Sequence, residues 1–507
     1  MSAVAPATRA PTLATRSGHR LVLALAPLHD TAPLDRGELH ALDLLLDLSC
    51  VVRMAEGVPS DAAVPLRIVG GRDTGSWTLP ERDGLGIGVE DGAVVLERAA
   101  LGLIHELAGA VAEQRSPARD RHGRVPSSAN AMVLGGGAAE RQPVVSMWAR
   151  SLADAVARAA GRRPVRLLAP WPEGRRWAAA LTHDLDVVEW WPLFTALRLV
   201  ELARKGELAL ATRVIGAALR TRGRDVVWRG VHQILNTEAQ CGVRSSWFVL
   251  CATPTLATAR VGDLTYRPEG TPARRILAAL REAGHEIGLH GSFATADDHG
   301  HFVAQRARLA ALATDGIIGV RQHFLRMRPG STQLAMRAAG FSYDSTFGFA
   351  DRNGFRLGVA DVVPMWSEEA QDVTLDEVPF AWMDRALSKY GGIEQPDRWI
   401  DDALDIAEEC RAVQGLFAGI WHPNLTDALG YPGAPAAYER MVRELVARDA
   451  FIAPLGELVA WRRARRAVRA ASVSPAGRVS LVAPGSIDAR IRLENADGQA
   501  VEHDDAQ

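Results

Sequence analysis

The sequence predicts an α/β protein built on a (β/α) barrel, distorted or seven-stranded, with an N-terminal α/β domain and a small C-terminal β appendage. Three observations carry this reading. From about residue 165, short apolar runs alternate with stretches of helical spacing: RRWAAALTHD, RSSWFVLCATP, GHEIGLHGS, IIGVRQHF, GFSYDST, LDEVPFAWMD, LFAGIWHPN and DAFIAPLGEL. Such alternation marks parallel strands joined by crossover helices. Seven or eight of these units over roughly 300 residues suit a barrel better than a dinucleotide-binding sheet, whose glycine fingerprint is absent. Finally, ionisable residues recur at the carboxyl ends of the runs, where a barrel places its active site.

The elements follow in order. The chain has 507 residues, 48% of them hydrophobic, enough for several domains at roughly 100–200 residues each. Residues 1–20, rich in Ala, Pro and Thr, form a loose leader. Residues 21–164 form the N-terminal domain. There LVLALAPL reads as a strand rather than an export signal, since His29 and Asp30 follow it instead of a cleavage site. LHALDLLLDLSCVVRM and LGLIHELAGAVAEQ have helical spacing, VPLRIVG and AVVLERAA read as strands, and MVLGGGAAERQP, without the Lys-Ser/Thr of a phosphate loop, is a connector. Residues 165–471 form the barrel. Its segment Trp190 to Gln240 is long for one crossover and adds helices beside the mouth; a membrane-surface role is the alternative, for which a strong aromatic and basic face is missing from the sequence. WRRARRAVR reads as a solvated helix, and residues 472–507 as the appendage and an acidic tail.

Bulk charge excludes little but points nowhere exotic. A formal net charge of -2 offers no global attraction to nucleic acid or an anionic membrane. Cys50, Cys241, Cys251 and Cys410 are scattered without a CxxC pair, which suits a reducing compartment. With no apolar run of spanning length, the expected location is the cytoplasm, with no nucleic acid and no membrane span.

The strand ends supply the candidate chemistry. The first ends in His183, Asp184 and Asp186, the third in His290, the fourth in Arg321 and His323; the fifth carries Asp344 and the seventh ends in His422. Gathered at one mouth, this set suggests metal-assisted hydrolysis. A divalent ion, zinc by preference, takes imidazole nitrogen and carboxylate oxygen and keeps a position open. It polarises a carbonyl and acidifies water, while a free carboxylate takes a proton and a histidine gives one to the leaving group. Strand alternation turns His183 away from the side that Asp184 and Asp186 share.

THDLD, HEIGLHGS, GVRQHF and GIWHP, in that order, resemble the successive motifs of the polysaccharide deacetylase family of metal-dependent carbohydrate esterases, over about residues 175 to 465. The resemblance implies Asp184 as general base, Asp186 and His290 as metal ligands, Arg321 as the residue orienting the base, and His422 as the acid that protonates the leaving amine. The family's second motif usually has a further ligand histidine four residues after the first. That position is Ala294 here. His323, at the next strand end, is the preferred third ligand because a strand holds it rigidly; His299, His301, water or a carboxylate are the alternatives. VRQHF also lacks the third motif's prolines, so the substrate is not transferable.

YDSTFGFADRNGFRLG resembles a branch of the family with longer chains, which would set Asp344 and Arg356 at the mouth as substrate-binding groups, the alternative being a structural ion pair. Trp421, beside His422, is a candidate for stacking on a sugar ring. The expected activity is hydrolysis of a non-peptide carbon–nitrogen bond, N-deacetylation of an amino sugar or glycan precursor. The rivals are a catalytically silent binding module, motivated by Ala294, and a hydrolase of small amides.

Overall fold

A computed structural model describes residues 24–29, 33–55, 63–71, 85–163, 165–189, 191–221, 225–253, 255–260, 263, 266–314, 316–473, 479–495, 498–501 and 503–505. The expected leader, residues 1–20, lies outside them. The chain divides into two units, each assembled from separate stretches of sequence.

One unit draws on Met1–Ala108, Val144–Arg176 and Ala460–Gln507. Strands β1 (Ala24–His29), β2 (Ala63–Val69), β3 (Ile87–Glu90) and β4 (Ala93–Glu97) form a sheet in the order β1-β2-β4-β3, parallel except for the β3/β4 hairpin. That hairpin turns on Asp91 and Gly92, both at positive φ, the pair a tight two-residue turn favours. Helix Arg36–Leu48 begins with a reciprocal cap: Asp35 Oδ1 accepts from the Glu38 amide and Glu38 Oε2 from the Asp35 amide, each at 2.8 Å. The short strand β5 (Leu167–Leu168) pairs with Leu493–Glu494, and Arg469–Val473 pairs with Val479–Val482. The C-terminal strands therefore pair within this unit.

The WRRARRAVR helix corrects its expected solvation. Arg462 and Arg465 are buried, at 0% and 2% exposure, and with Arg466 they converge on the buried carboxylate of Asp47, at 3.4, 3.2 and 3.0 Å. Arginine spacing in a sequence does not disclose that a carboxylate over 400 residues earlier meets it.

The second unit draws on Gly109–Pro143 and Trp177–Val459. Its strands are β6 (Ala178–Leu185), β7 (Ser246–Leu250), β8 (Glu286–Gly291), β9 (Gly319–Gln322), β10 (Tyr343–Asp344), β11 (Val363–Ser367), β12 (Asp372–Glu377), β13 (Trp382–Met383), β14 (Leu416–Ile420) and β15 (Phe451–Ile452). They form one sheet in the order β11-β12-β10-β9-β8-β7-β6-β14-β13, with β15 beside β6, and every pairing but β11/β12 is parallel. The strand-and-crossover order is that of a (β/α) barrel, but among the described residues no ladder joins β11 to β13, so the sheet is open. β6, β7 and β14 are buried along their whole length, as parallel strands covered on both faces must be. The long insertion after β6 holds three helices, Trp191–Arg204, Leu208–Arg220 and Val226–Cys241. No helix among the described residues is long and apolar enough to cross a membrane.

Removing Asp47 would take away the carboxylate on which three arginines converge, two of them buried. Asp47→Ala is expected to lower stability by about 3–5 kcal/mol, read by denaturant unfolding, whereas Asp154→Ala, at an exposed position of helix Val144–Ala160, should change it by less than about 0.5 kcal/mol.

Candidate active site

The parallel register brings the strand ends together. Asp184 on β6 stands opposite Phe248 on β7, and His290 on β8 opposite Arg321 on β9. His422 lies two residues beyond the end of β14. Gly291, just after His290, is held to glycine because a Cβ there would collide with the Gln322 side chain. A cleft of about 450 Å³ opens over these ends, and Asp184, Asp186, His290, His323 and His422 all line it.

Asp186, His290 and His323 each offer a ligand atom within 4.8 Å of the others. His290 Nε2 lies 3.4 Å and His323 Nε2 3.8 Å from Asp186 Oδ1. Each ring is aimed by its other nitrogen: His290 Nδ1 meets the Arg321 carbonyl at 2.9 Å and His323 Nδ1 the Asp263 carboxylate at 2.7 Å. Such outer partners fix the tautomer and turn Nε2 toward a metal. Two imidazoles and a carboxylate around one point are a fitting donor set for a divalent ion of the zinc type. His323 is delivered by an unusual turn in which Phe324 and Leu325 both take positive φ, and the Phe324 ring stacks on the imidazole at 3.9 Å. His299 and His301 sit exposed at the start of helix Gly300–Ala313, so of the candidate third ligands His323 is the one the fold brings in.

Asp184 is set apart from the triangle by its partner. Arg321, fully buried, donates from Nη1 to Asp184 Oδ1 at 2.8 Å, and from Nε and Nη2 to Ser345 at 2.8 and 2.9 Å. Burial works to raise the Asp184 carboxyl, but Arg321, then His290 and His422, draw it below the ordinary carboxylate value. For Asp186 burial is likewise outweighed, by the hydrogen bond and charges of the histidines around it. His290 is raised by the two aspartates against the opposing effect of burial. Asp184 is thus a buried carboxylate at the floor of the cleft with its counter-charge in place.

His422 faces the triangle, its Nε2 3.7 Å from Asp186 Oδ2. Asp384 holds it twice, accepting from the His422 amide at 2.6 Å and meeting Nδ1 at 2.7 Å. Burial would lower the imidazole, but Asp384 raises it above the ordinary histidine value. Neither Asp384 nor Asp263 was among the sequence candidates. Asp384 had a legible signal, a carboxylate just after β13 at the same end as Asp184; Asp263 lies in a loop with none.

Three expected substrate contacts are elsewhere. Asp344 is fully buried beneath the strand ends, hydrogen-bonded by Gln333 and Thr346, and burial drives its carboxyl and that of neighbouring Glu377 upward. Arg356 is buried in an ion pair with Glu113, Nε to Oε1 at 2.9 Å, and donates to the Gly348 carbonyl. Trp421 is 2% exposed and packs among Trp382, Trp399 and Tyr438. None of the three lines the cleft, because each satisfies its polar or apolar needs inside the core. His183 also points away, to Glu238 at 3.0 Å and the Trp421 carbonyl at 2.8 Å, as strand alternation requires.

The described fold is similar to those of solved polysaccharide deacetylases. Two carry that assignment by name, one from Mycobacterium smegmatis (21% identity, TM-score 0.39, covering 60% of this chain and 96% of that one) and one from Pseudomonas aeruginosa PAO1 (16%, 0.39, 60% and 96%). A third is the Bc1960 peptidoglycan N-acetylglucosamine deacetylase (12%, 0.31, 57% and 90%). No family model matches the chain, and no curated protein matches it. The functional reading therefore rests on the site's own geometry.

Asp263→Ala should weaken zinc binding about 10–100-fold, measured by titrating metal-stripped protein, because His323 loses its orienting partner. If His323→Ala binds zinc as tightly as the unaltered chain, the third ligand lies elsewhere.

Proposed function

We propose that this chain is a metal-dependent hydrolase of a non-peptide amide bond, removing an acetyl group from an amino sugar or glycan precursor. The observation that carries the reading is the opposition, across one cleft, of a triangle of candidate ligands, a carboxylate backed by arginine and an imidazole backed by aspartate. Asp186, His290 and His323 would hold the ion. A divalent ion there supplies Lewis-acid polarisation of the amide carbonyl and makes water a stronger acid.

The chain's own residues supply the proton transfers. Arg321 keeps Asp184 ionised and occupies Oδ1, leaving Oδ2 to accept a proton from the attacking water. Burial in a water-poor site would otherwise favour the neutral acid, which has no capacity to accept. On the other side Asp384 occupies Nδ1 of His422 and favours its charged form, so Nε2 carries the proton that the leaving nitrogen needs. Amide and water thereby become carboxylate and amine. The amide in question is an acetamide on a sugar by virtue of the motif resemblance. The four cysteines are free, in keeping with a reducing compartment such as the cytoplasm.

Acetate release from N-acetylated amino sugars by zinc-loaded protein tests the reading; no release, with turnover of small amides instead, would reassign the substrate. Asp184→Asn should cut turnover about 10²–10⁴-fold with zinc content unchanged by elemental analysis. Activity that needs protonated His422 falls as pH rises through the raised value of that group. Removing the anion in Asp384→Asn should therefore move the alkaline limb of the kcat profile to lower pH. An unmoved limb would assign the acid to another residue.

A further inference from the structure

The described residues expose thirteen large hydrophobic side chains, and six of them lie in one helical hairpin: Leu193, Leu197, Val200, Leu208, Ile215 and Leu219. At 3.6 residues per turn, Leu193, Leu197 and Val200 share one stripe of helix Trp191–Arg204, which ends in the exposed Arg204. Leu208, Ile215 and Leu219 share one stripe of helix Leu208–Arg220, with Leu208 68% and Leu219 65% exposed. The opposite faces are the ones that pack inward, through Thr195, Arg198 and Leu202 on the first helix and Val214 and Ala217 on the second. Scattered apolar residues on a surface need no explanation; a contiguous set does.

Charge says what covers it. The hairpin of residues 191–220 carries Arg198, Arg204, Lys205, Arg213 and Arg220 against Glu201 and Glu207, in a chain of net charge -2, and Arg198 and Lys205 are engaged by Glu201 and Glu394. Arg204, Arg213 and Arg220 are exposed, and among the described residues no ion pair engages them. The stripe also reaches the candidate active site, since Leu197 lines the cleft together with Phe194 and Arg198. A second copy of the chain fits poorly, because a two-fold contact through this hairpin sets like-charged arginines against each other. A bilayer with anionic lipids meets both demands, with an acyl boundary for the leucines and headgroup charge for the arginines.

We infer that the hairpin of residues 191–220 docks the protein on an anionic membrane surface, with the mouth of the cleft at the headgroup layer. Aromatic residues contribute little to the docking face, since Trp191 and Phe194 pack onto the core; binding is therefore weak without anionic lipid and falls with salt.

Co-sedimentation of the full chain with lipid vesicles tests this without reference to catalysis. The protein should pellet with phosphatidylcholine vesicles containing phosphatidylglycerol, and stay in solution with phosphatidylcholine alone or at high salt. The double substitution Leu208→Ser/Leu219→Ser should reduce the bound fraction at least about tenfold, and Arg213→Gln and Arg220→Gln about fivefold each; all four positions are exposed, and circular dichroism checks that the variants remain folded. Failure to pellet, pelleting indifferent to anionic lipid, or a concentration-dependent dimer abolished by the leucine substitutions would overturn the inference.

Discussion

The buried guanidinium of Arg321 is the constraint on which the site depends. It donates to Asp184 and Thr182 on β6 and to Ser345 after β10, and its plane lies over the Phe248 ring of β7, 4.3 Å from the centroid. An arginine with no exposure is costly to desolvate, and its position is tolerable only because each of these partners is in place. Its backbone carbonyl meanwhile receives His290 Nδ1. One residue therefore holds Asp184, the proposed proton acceptor, through its side chain and a candidate metal ligand through its main chain. The two halves of the site cannot drift apart without breaking the sheet.

Around that centre the fold uses one chemical unit twice. Asp263 with His323 and Asp384 with His422 are both carboxylate–imidazole pairs, each bonded through Nδ1 at 2.7 Å. In both, Nε2 is the nitrogen left to the cleft. Location separates the two: His323 stands beside His290 and shares the Asp186 oxygen with it, while His422, after the neighbouring strand β14, approaches the same carboxylate through its other oxygen. The aspartate partners also differ in origin, one from a loop after β7 and one from the end of β13. Convergence from separate segments is what an αβ-layered scaffold with all its strand ends at one mouth permits.

Charge that is buried elsewhere serves architecture. Asp47 with its arginines in one unit, and Glu113 with Arg356 in the other, join segments far apart in sequence. Arg356 and Asp344 were candidate ligand-binding groups because their segment resembles a longer-chain branch of the family. Glu113, which pairs with Arg356, and Gln333, which bonds Asp344, lie in stretches that carry no motif, so the motif by itself does not distinguish a recognition residue from an internal tie.

The amino-acid sequence by itself determined the alternation of strands and helices, the direction of the strands, and which strand ends carry ionisable groups, because hydrophobic period and strand parity are local properties. Asp184, Asp186, His290, Arg321, His323 and His422 were legible on that basis. Only the tertiary structure decided which of those groups meet. It brought His323, rather than His299 or His301, beside Asp186 and His290, set Asp263 and Asp384 against the two imidazoles, withdrew Asp344, Arg356 and Trp421 into the core, left the sheet open among the described residues, and turned the leucine stripes of the β6–β7 insertion outward. These outcomes depend on which surfaces are covered and on distances between residues remote in sequence. Burial and Coulombic pairing are properties of the assembled neighbourhood, and no window of sequence contains them.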